Sequence, residues 1–293
     1  MKGCQLSAIG LRRCLTVAVI VTIYGLWTGH SIQAQKPRVI TLIPALTEML
    51  FAIGAGDQVI AVSSYDEDPP QVRALPKVGA LIDPDVERII ALRPTLVLLY
   101  GSQTDLMTQL SRASIPYYAY RHGGLGTVSV TIRELGVRTG HSREAESLAS
   151  DIDRRLAALR QRTAALKKPR TLLVFGRERG SLRNIYASGG RGFLHDMLDA
   201  AGGVNVFAAV QAESVQASTE MILAQKPDVI IELRSTEIPA ENQRAAELSS
   251  WKVLGSVPAV RNNRIHLLSG RWLVVPGPRV ADGAEAFARV LHR

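Results

Sequence analysis

The feature that most constrains this chain is a segment that occurs twice. Residues 86 to 98, Val-Glu-Arg-Ile-Ile-Ala-Leu-Arg-Pro-Thr-Leu-Val-Leu, align without a gap with residues 219 to 231, Thr-Glu-Met-Ile-Leu-Ala-Gln-Lys-Pro-Asp-Val-Ile-Ile. In each copy a short helical pattern opens on an acidic residue, meets a basic residue and a proline, and feeds an apolar strand. Proline removes an amide donor and disfavours helix at the residue before it, so both helices must stop there. A looser pair, Thr47-Glu-Met-Leu-Phe-Ala-Ile-Gly-Ala55 and His195-Asp-Met-Leu-Asp-Ala-Ala-Gly-Gly203, follows in the same order. Two echoes in one order predict two related halves built from helix–strand units.

Strand signals are short β-branched runs at Arg38–Leu42, Val59–Ser63, Leu96–Tyr100, Thr171–Phe175 and Val229–Leu233. Each adjoins a helical pattern, and their near-continuous apolar character fits parallel strands covered on both faces, an α/β fold. Between the halves, Ala145, Ala149, Ile152, Leu156, Leu159, Thr163 and Leu166 recur in steps of four and three. That stripe predicts one long helix over 142–168, with Ser142 as N-cap and Pro169 as stop. At roughly 1.5 Å per residue it reaches close to 39 Å, enough to lie across two lobes and to limit how far they hinge. The expected organisation is a first lobe over 37–141, the connecting helix over 142–168 and a second lobe over 169–293.

The N-terminus has its own logic. Lys2, Arg12 and Arg13 precede an apolar run from Cys14 to Trp27, and a polar stretch ends at Ala34-Gln35. Basic start, apolar middle and small residue at the end make a secretory signal over 1–34, cut after Ala34. The run is shorter than the roughly 20 residues that span a bilayer, which disfavours an uncleaved anchor. Both cysteines, Cys4 and Cys14, fall in this segment, so the mature chain has neither disulfide framework nor thiolate metal site. Without those three basic residues the 35 Lys and Arg become 32 against 26 acids, a charge of about +6. The basic residues are scattered and no basic helix collects them, so nucleic acid is not an expected partner.

Several stretches together resemble a known family. Val39-Ile-Thr-Leu-Ile-Pro-Ala-Leu-Thr-Glu48, Ser63-Ser-Tyr-Asp-Glu-Asp-Pro-Pro70, Leu75-Pro-Lys-Val-Gly79, Glu87 to Pro94, Ala187-Ser-Gly-Gly-Arg-Gly-Phe-Leu194, Ala201-Gly-Gly-Val-Asn205 and Ser218-Thr-Glu220 look like the periplasmic binding proteins for vitamin B12, siderophores and haem. The Ser-Ser-Tyr and Asp-Pro-Pro spacing most resembles the vitamin B12 binders. The resemblance implies two Rossmann-like lobes joined by a single helix, a ligand in the cleft between them, and a non-catalytic receptor in the periplasm that acts as a monomer. It implies that a corrinoid is captured and handed to the permease of an ABC importer, with an iron-siderophore or haem as the alternative cargo. One glutamate per lobe is implied to dock on permease arginines, and Glu87 and Glu220 match those positions. In the repeat both carboxylates fall in the first turn of equivalent helices, where the macrodipole also favours an acid.

For the ligand, Tyr65 matches the tyrosine after the Ser-Ser pair, Tyr100 stands where the B12 binders have tryptophan, and Trp272 falls in a late loop where another aromatic is expected. Leu81 and Ser214 stand where tryptophans are expected, which thins the aromatic cage. Arg121, Arg177 and Arg271 each follow a strand, the end at which open α/β sheets bind ligands, and could pair with carboxylates or phosphate. His122 and Tyr65 in separate loops could coordinate an iron. No resident cofactor or metal is expected, because the six histidines never approach metal-ligand spacing. An enzyme is disfavoured: there is no Gly-x-Ser-x-Gly elbow and no phosphate loop, and Gly54-Ala-Gly56 ends a helix instead of opening one.

Overall fold

In a computed structural model of the chain, residues 36–235 and 241–293 are described. The expected signal, with Cys4, Cys14 and His30, lies outside them. Residues from Pro37 to Arg293 form one compact unit. Its first sheet has the order β2-β1-β3-β4, from β1 (Val39–Thr41), β2 (Val59–Val62), β3 (Leu96–Tyr100) and β4 (Tyr117–Tyr120). Every pairing in it is parallel, with Val39 opposite both Val59 and Leu96. The second sheet runs β10-β9-β5-β6-β8, with the two-residue β7 (Val204–Asn205) beside β5. β5 (Arg170–Gly176), β9 (Val229–Arg234) and β10 (Ile265–Ser269) are parallel, whereas β6 (Ile185–Ser188) and β8 (Ser214–Ala217) are antiparallel additions. Those two were not legible: each is four residues long, and small or polar side chains interrupt its apolar pattern.

The repeat is real at atomic detail. α2 (Val86–Ala91) and α7 (Thr219–Gln225) are its two helices. Asp85 caps the first by accepting from the Arg88 amide at 3.0 Å, and Ser218 caps the second by accepting from the Met221 amide at 3.2 Å. At the other end Arg93 and Lys226 take the same left-handed conformation, φ 48° and 46°. Each precedes a buried proline, whose ring closes the right-handed helical region to the residue before it. The looser echo also holds. α1 (Pro44–Ala52) and α6 (Phe193–Ala200) end on Gly54 and Gly202 at φ 85° and 78°. The following amides, Ala55 and Gly203, return to the carbonyls of Leu50 and Leu198 at 2.8 and 3.0 Å, the closing bond of a Schellman turn.

The connecting helix, α5, runs Ser142–Thr163. Ser142 is its first residue and His141 the flanking one, so the expected N-cap is shifted by one and no side chain caps it. Ala145, Ala149, Ile152, Leu156, Leu159 and Thr163 are all buried, against α4 (Leu125–Thr139) from the first half and α6 and α10 (Val280–Leu291) from the second. Leu166, the last residue of the stripe, is 44% exposed because the helix has ended. The Thr163 hydroxyl bonds the Leu159, Arg160 and Ala200 carbonyls, and the Ala164 and Leu166 amides tighten into single turns before Pro169.

Two carboxylates from the α1/α6 echo tie the halves together in opposite directions. Asp196 of α6 accepts from the Leu125 amide at the start of α4, 2.9 Å away. Its counterpart Glu48 of α1 accepts from Arg279, at 2.9 and 3.2 Å, the residue before α10. Burial raises the Glu48 carboxyl above its ordinary range, with Arg279 opposing that shift. After β2, buried Asp66 closes a turn by accepting from the Ser63 amide at 2.9 Å and the Ser63 hydroxyl at 2.6 Å. Desolvation pushes its carboxyl up too, against those hydrogen bonds.

Ile152→Ala should lower the unfolding free energy by about 2–4 kcal/mol, since it empties a packed position. Leu166→Ala should stay within about 0.5 kcal/mol. Urea titration distinguishes the two. A second prediction concerns pH. Asp66 binds its proton more tightly in the fold than unfolded, so its contribution is fully present below the ordinary carboxylate range and lost as pH rises through the raised folded value. The stability of the wild type relative to Asp66→Asn should therefore increase from about pH 7 towards about pH 4. A difference that stays constant over that range contradicts it.

Candidate functional site

In the first half the parallel strands deliver their C-terminal ends to a gap, which the second half faces with the end of β5, the turn after β6 and the start of β8. A cavity of about 400 Å³ occupies that gap. The first half contributes Ile43, Pro44 and Ala45 from the β1–α1 turn, Tyr100 from the end of β3, and Tyr120 and His122 from the end of β4. The second half contributes Phe175 from β5, Arg191 to Leu194 from the β6–α6 turn, Glu213 and Ser214 before and in β8, and Val274 to Pro276. A larger hollow of about 600 Å³ lies beside the connecting helix. Its charges are paired among themselves, Arg279 with Glu48 and Asp68 and Arg155 with Asp282, which leaves the first cavity as the candidate site.

Aromatic rings form a continuous wall in that cavity. Tyr100 and Tyr120 lie 6.1 Å apart between centroids, Tyr120 and His122 6.3 Å, and His122 meets Phe193 of the other half edge-on at 5.7 Å. Such rings offer a large rigid apolar face at small entropic cost. Burial raises the Tyr100 phenol, with the Asp66 charge adding to it, and raises Tyr120 further, so both are neutral hydroxyls at neutral pH. A polar corner adjoins the wall at His122. Glu213 Oε2 approaches His122 Nε2 at 3.5 Å across the gap, and Arg191 Nε donates to Gln211 Oε1 at 3.0 Å.

The loop carrying Arg191 is held from beneath. Buried Asn205 donates to the carbonyls of Gly189, at 2.8 Å, and Ser188, at 3.2 Å, and accepts from the Phe207 amide at 2.9 Å. A side chain at Gly190 would meet the Ala208 carbonyl at 2.0 Å, so this loop can lie against its neighbour only as glycine.

The residues singled out from the sequence divide. Tyr100 lines the cavity. Tyr65 is 66% exposed on the loop after β2 and Arg121 is exposed beside Gly101; neither is among the lining residues. Arg271 pairs with Glu67 of the other half at 2.6 Å. Trp272 is half-buried against the core and is not among the lining residues, with the Arg279 guanidinium 5.9 Å from its ring centroid. Arg177 does not reach a ligand at all, because its side chain is fully buried within the second half. It donates to Glu247 at 2.9 Å, and its Nε lies 3.1 Å from Glu232 in ion-pair range but poorly aligned for a hydrogen bond. Glu232 also accepts from Trp251 at 2.9 Å. β5 ends at Gly176, so strand geometry no longer sets the direction of Arg177, which turns to Glu232 and Glu247; Phe175, still on the strand, is the side chain that reaches the cavity.

Tyr120, Phe175, Phe193, Arg191 and Glu213 were not singled out. Tyr120 and Phe175 sit beside the chosen arginines at the same strand ends, and the strand-end rule applied to aromatics would have found them. Glu213 carries no local signal. Glu87 and Glu220 are both exposed, each in the first turn of its repeat helix. Ser218 and neighbouring donors keep the Glu220 carboxyl below its ordinary range, so it is anionic. Among the described residues no cluster of His, Cys, Asp and Glu could hold a metal ion, and no helix is long and apolar enough to cross a membrane.

Known proteins match this arrangement over most of its length. The vitamin B12-binding protein of Vibrio parahaemolyticus is 30% identical over 254 residues, covering 85% of this chain and 88% of its own. That of Photorhabdus laumondii is 30% identical over 267 residues, covering 90% and 91%. Among solved structures, the periplasmic vitamin B12-binding protein of Vibrio cholerae superposes with a TM-score of 0.73 at 25% identity, covering 87% of this chain and 96% of that one. A periplasmic haem-binding protein from Roseiflexus superposes with a TM-score of 0.71, also at 25%, covering 87% and 99%. The family model described as periplasmic binding protein matches residues 39–271, from the first strand of one sheet to the loop past the last strand of the other. This chain belongs to the periplasmic binding protein family.

Proposed function

We propose that the protein captures a corrinoid in the cavity between its halves and delivers it to the membrane permease of an ABC importer. The observation that carries the ligand reading is the aromatic wall of Tyr100, Tyr120 and Phe193 in one cavity with a polar corner of Arg191 and Glu213. A flat macrocycle gains most from such a wall, and its polar rim needs a few oriented groups beside it. The vitamin B12-binding relatives support the same cargo. About 400 Å³ is near the low end for ligand pockets, so a corrin enters by one edge with the walls parting slightly. Haem or a ferric siderophore is the second reading, favoured by Arg191 and His122 on the cavity wall and by haem-binding structural relatives.

No catalytic step is part of this function. The chain is read as exported to the periplasm by residues 1–34, with docking through Glu87 and Glu220. The support for docking is their equivalence in the repeat: two exposed carboxylates on matching helix starts suit a two-fold partner presenting guanidinium groups, which bind carboxylates in bidentate fashion.

Calorimetric titration of residues 35–293 with cobalamin, cobinamide, haemin and ferric siderophores tests the cargo. Tight stoichiometric binding of the corrinoids without turnover is expected, and binding of haemin alone overturns it. Tyr100→Ala should weaken corrinoid binding about tenfold through loss of ring contact. Replacing both Glu87 and Glu220 with alanine should abolish uptake in cells with affinity unchanged; lost affinity counts against docking. Solution scattering should show a ligand-induced change in radius of gyration below about 1 Å, as the buried stripe of α5 limits hinge motion.

A further inference from the structure

Among the described residues lining the cavity, Glu213 is the one carboxylate and Arg191 the one guanidinium. They sit on neighbouring turns of the second half. Gly192, at φ 86°, lies between them, and a side chain there would press on Glu213, at 3.2 Å from its Cγ. Glu213 lies 3.5 Å from His122 of the other half, and Arg191 is held by Gln211 through Nε. The corner therefore offers an acceptor-only group and a donor-only group to whatever enters.

We propose that Arg191 and Glu213 form a subsite that reads a peripheral carboxamide of the ligand, and that Glu213 makes the protein discriminate against rings carrying carboxylates instead. A primary carboxamide presents a carbonyl that Arg191 can donate to and an N–H that Glu213 can accept. A carboxylate satisfies only the arginine and sets two anions side by side, a like-charge contact that weakens binding. This rests on the corrinoid reading, since a corrin carries carboxamides at its rim where haem carries carboxylates. Glu213 is thus a specificity determinant, and the polar corner separates the two candidate cargoes.

The test compares dicyanocobinamide with the same corrin after hydrolysis of its carboxamides to carboxylates, by calorimetry on the mature protein. The wild type should prefer the amide form by at least about tenfold. Glu213→Gln, at a half-exposed side chain whose loss leaves the core intact, should tighten the carboxylate form and reduce that ratio about tenfold. Glu213→Asp, which keeps the charge, should retain it. Melting curves of both variants should match the wild type. An unchanged ratio in Glu213→Gln, with corrin still bound, overturns the role of Glu213 alone. Failure of the wild type to bind either corrin overturns the corrinoid reading and this assignment with it.

Discussion

The site depends on one buried seam. From Ala145 to Thr163 the connecting helix presents small and branched side chains to helices of both halves at once, and no water reaches them. Packed side chains resist sliding, because any shift opens voids along the whole stripe. Residues far apart in sequence, such as His122 and Phe193, meet across the gap between the sheets.

The reciprocal carboxylates refine what the seam begins. Glu48 and Asp196 occupy matching positions in the looser echo, and each reaches over to the start of the helix that follows the last strand of the other half's sheet. One bonds a backbone amide and the other an arginine, so the symmetry is of position and not of chemistry. A contact that crosses in both directions fixes the angle between the halves as well as their spacing. The Arg271–Glu67 and His122–Glu213 pairs also cross between the halves, each through a more exposed carboxylate than Glu48.

The buried ionic network of the second half shows how a strand-end arginine can serve structure. Arg177, Glu232, Arg234 and Glu247 pair with one another around Trp251. Breaking one partner of such a network leaves an uncompensated charge, which is far more costly than losing an exposed pair. Arg177 lies one residue past the end of β5, where the strand no longer sets its direction and its acidic partners do.

How much was legible follows from the range of each interaction. The chain's own sequence determined the elements that rest on neighbours: the capped helices before Pro94 and Pro227, the five main strands, the glycine stops at Gly54 and Gly202, and the stripe of α5. It also determined that Tyr100 stands at a strand end and that Glu87 and Glu220 occupy equivalent positions. Only the tertiary structure decided that Tyr100 is joined by Tyr120 and Phe193, that Arg177 is a brace, that Trp272 packs against the core, and that Glu213 lines the cavity. Local signals arise from backbone sterics and periodic burial, which a short window contains. A cleft is made by surfaces brought together from two halves, and no window of the sequence holds both sides of it.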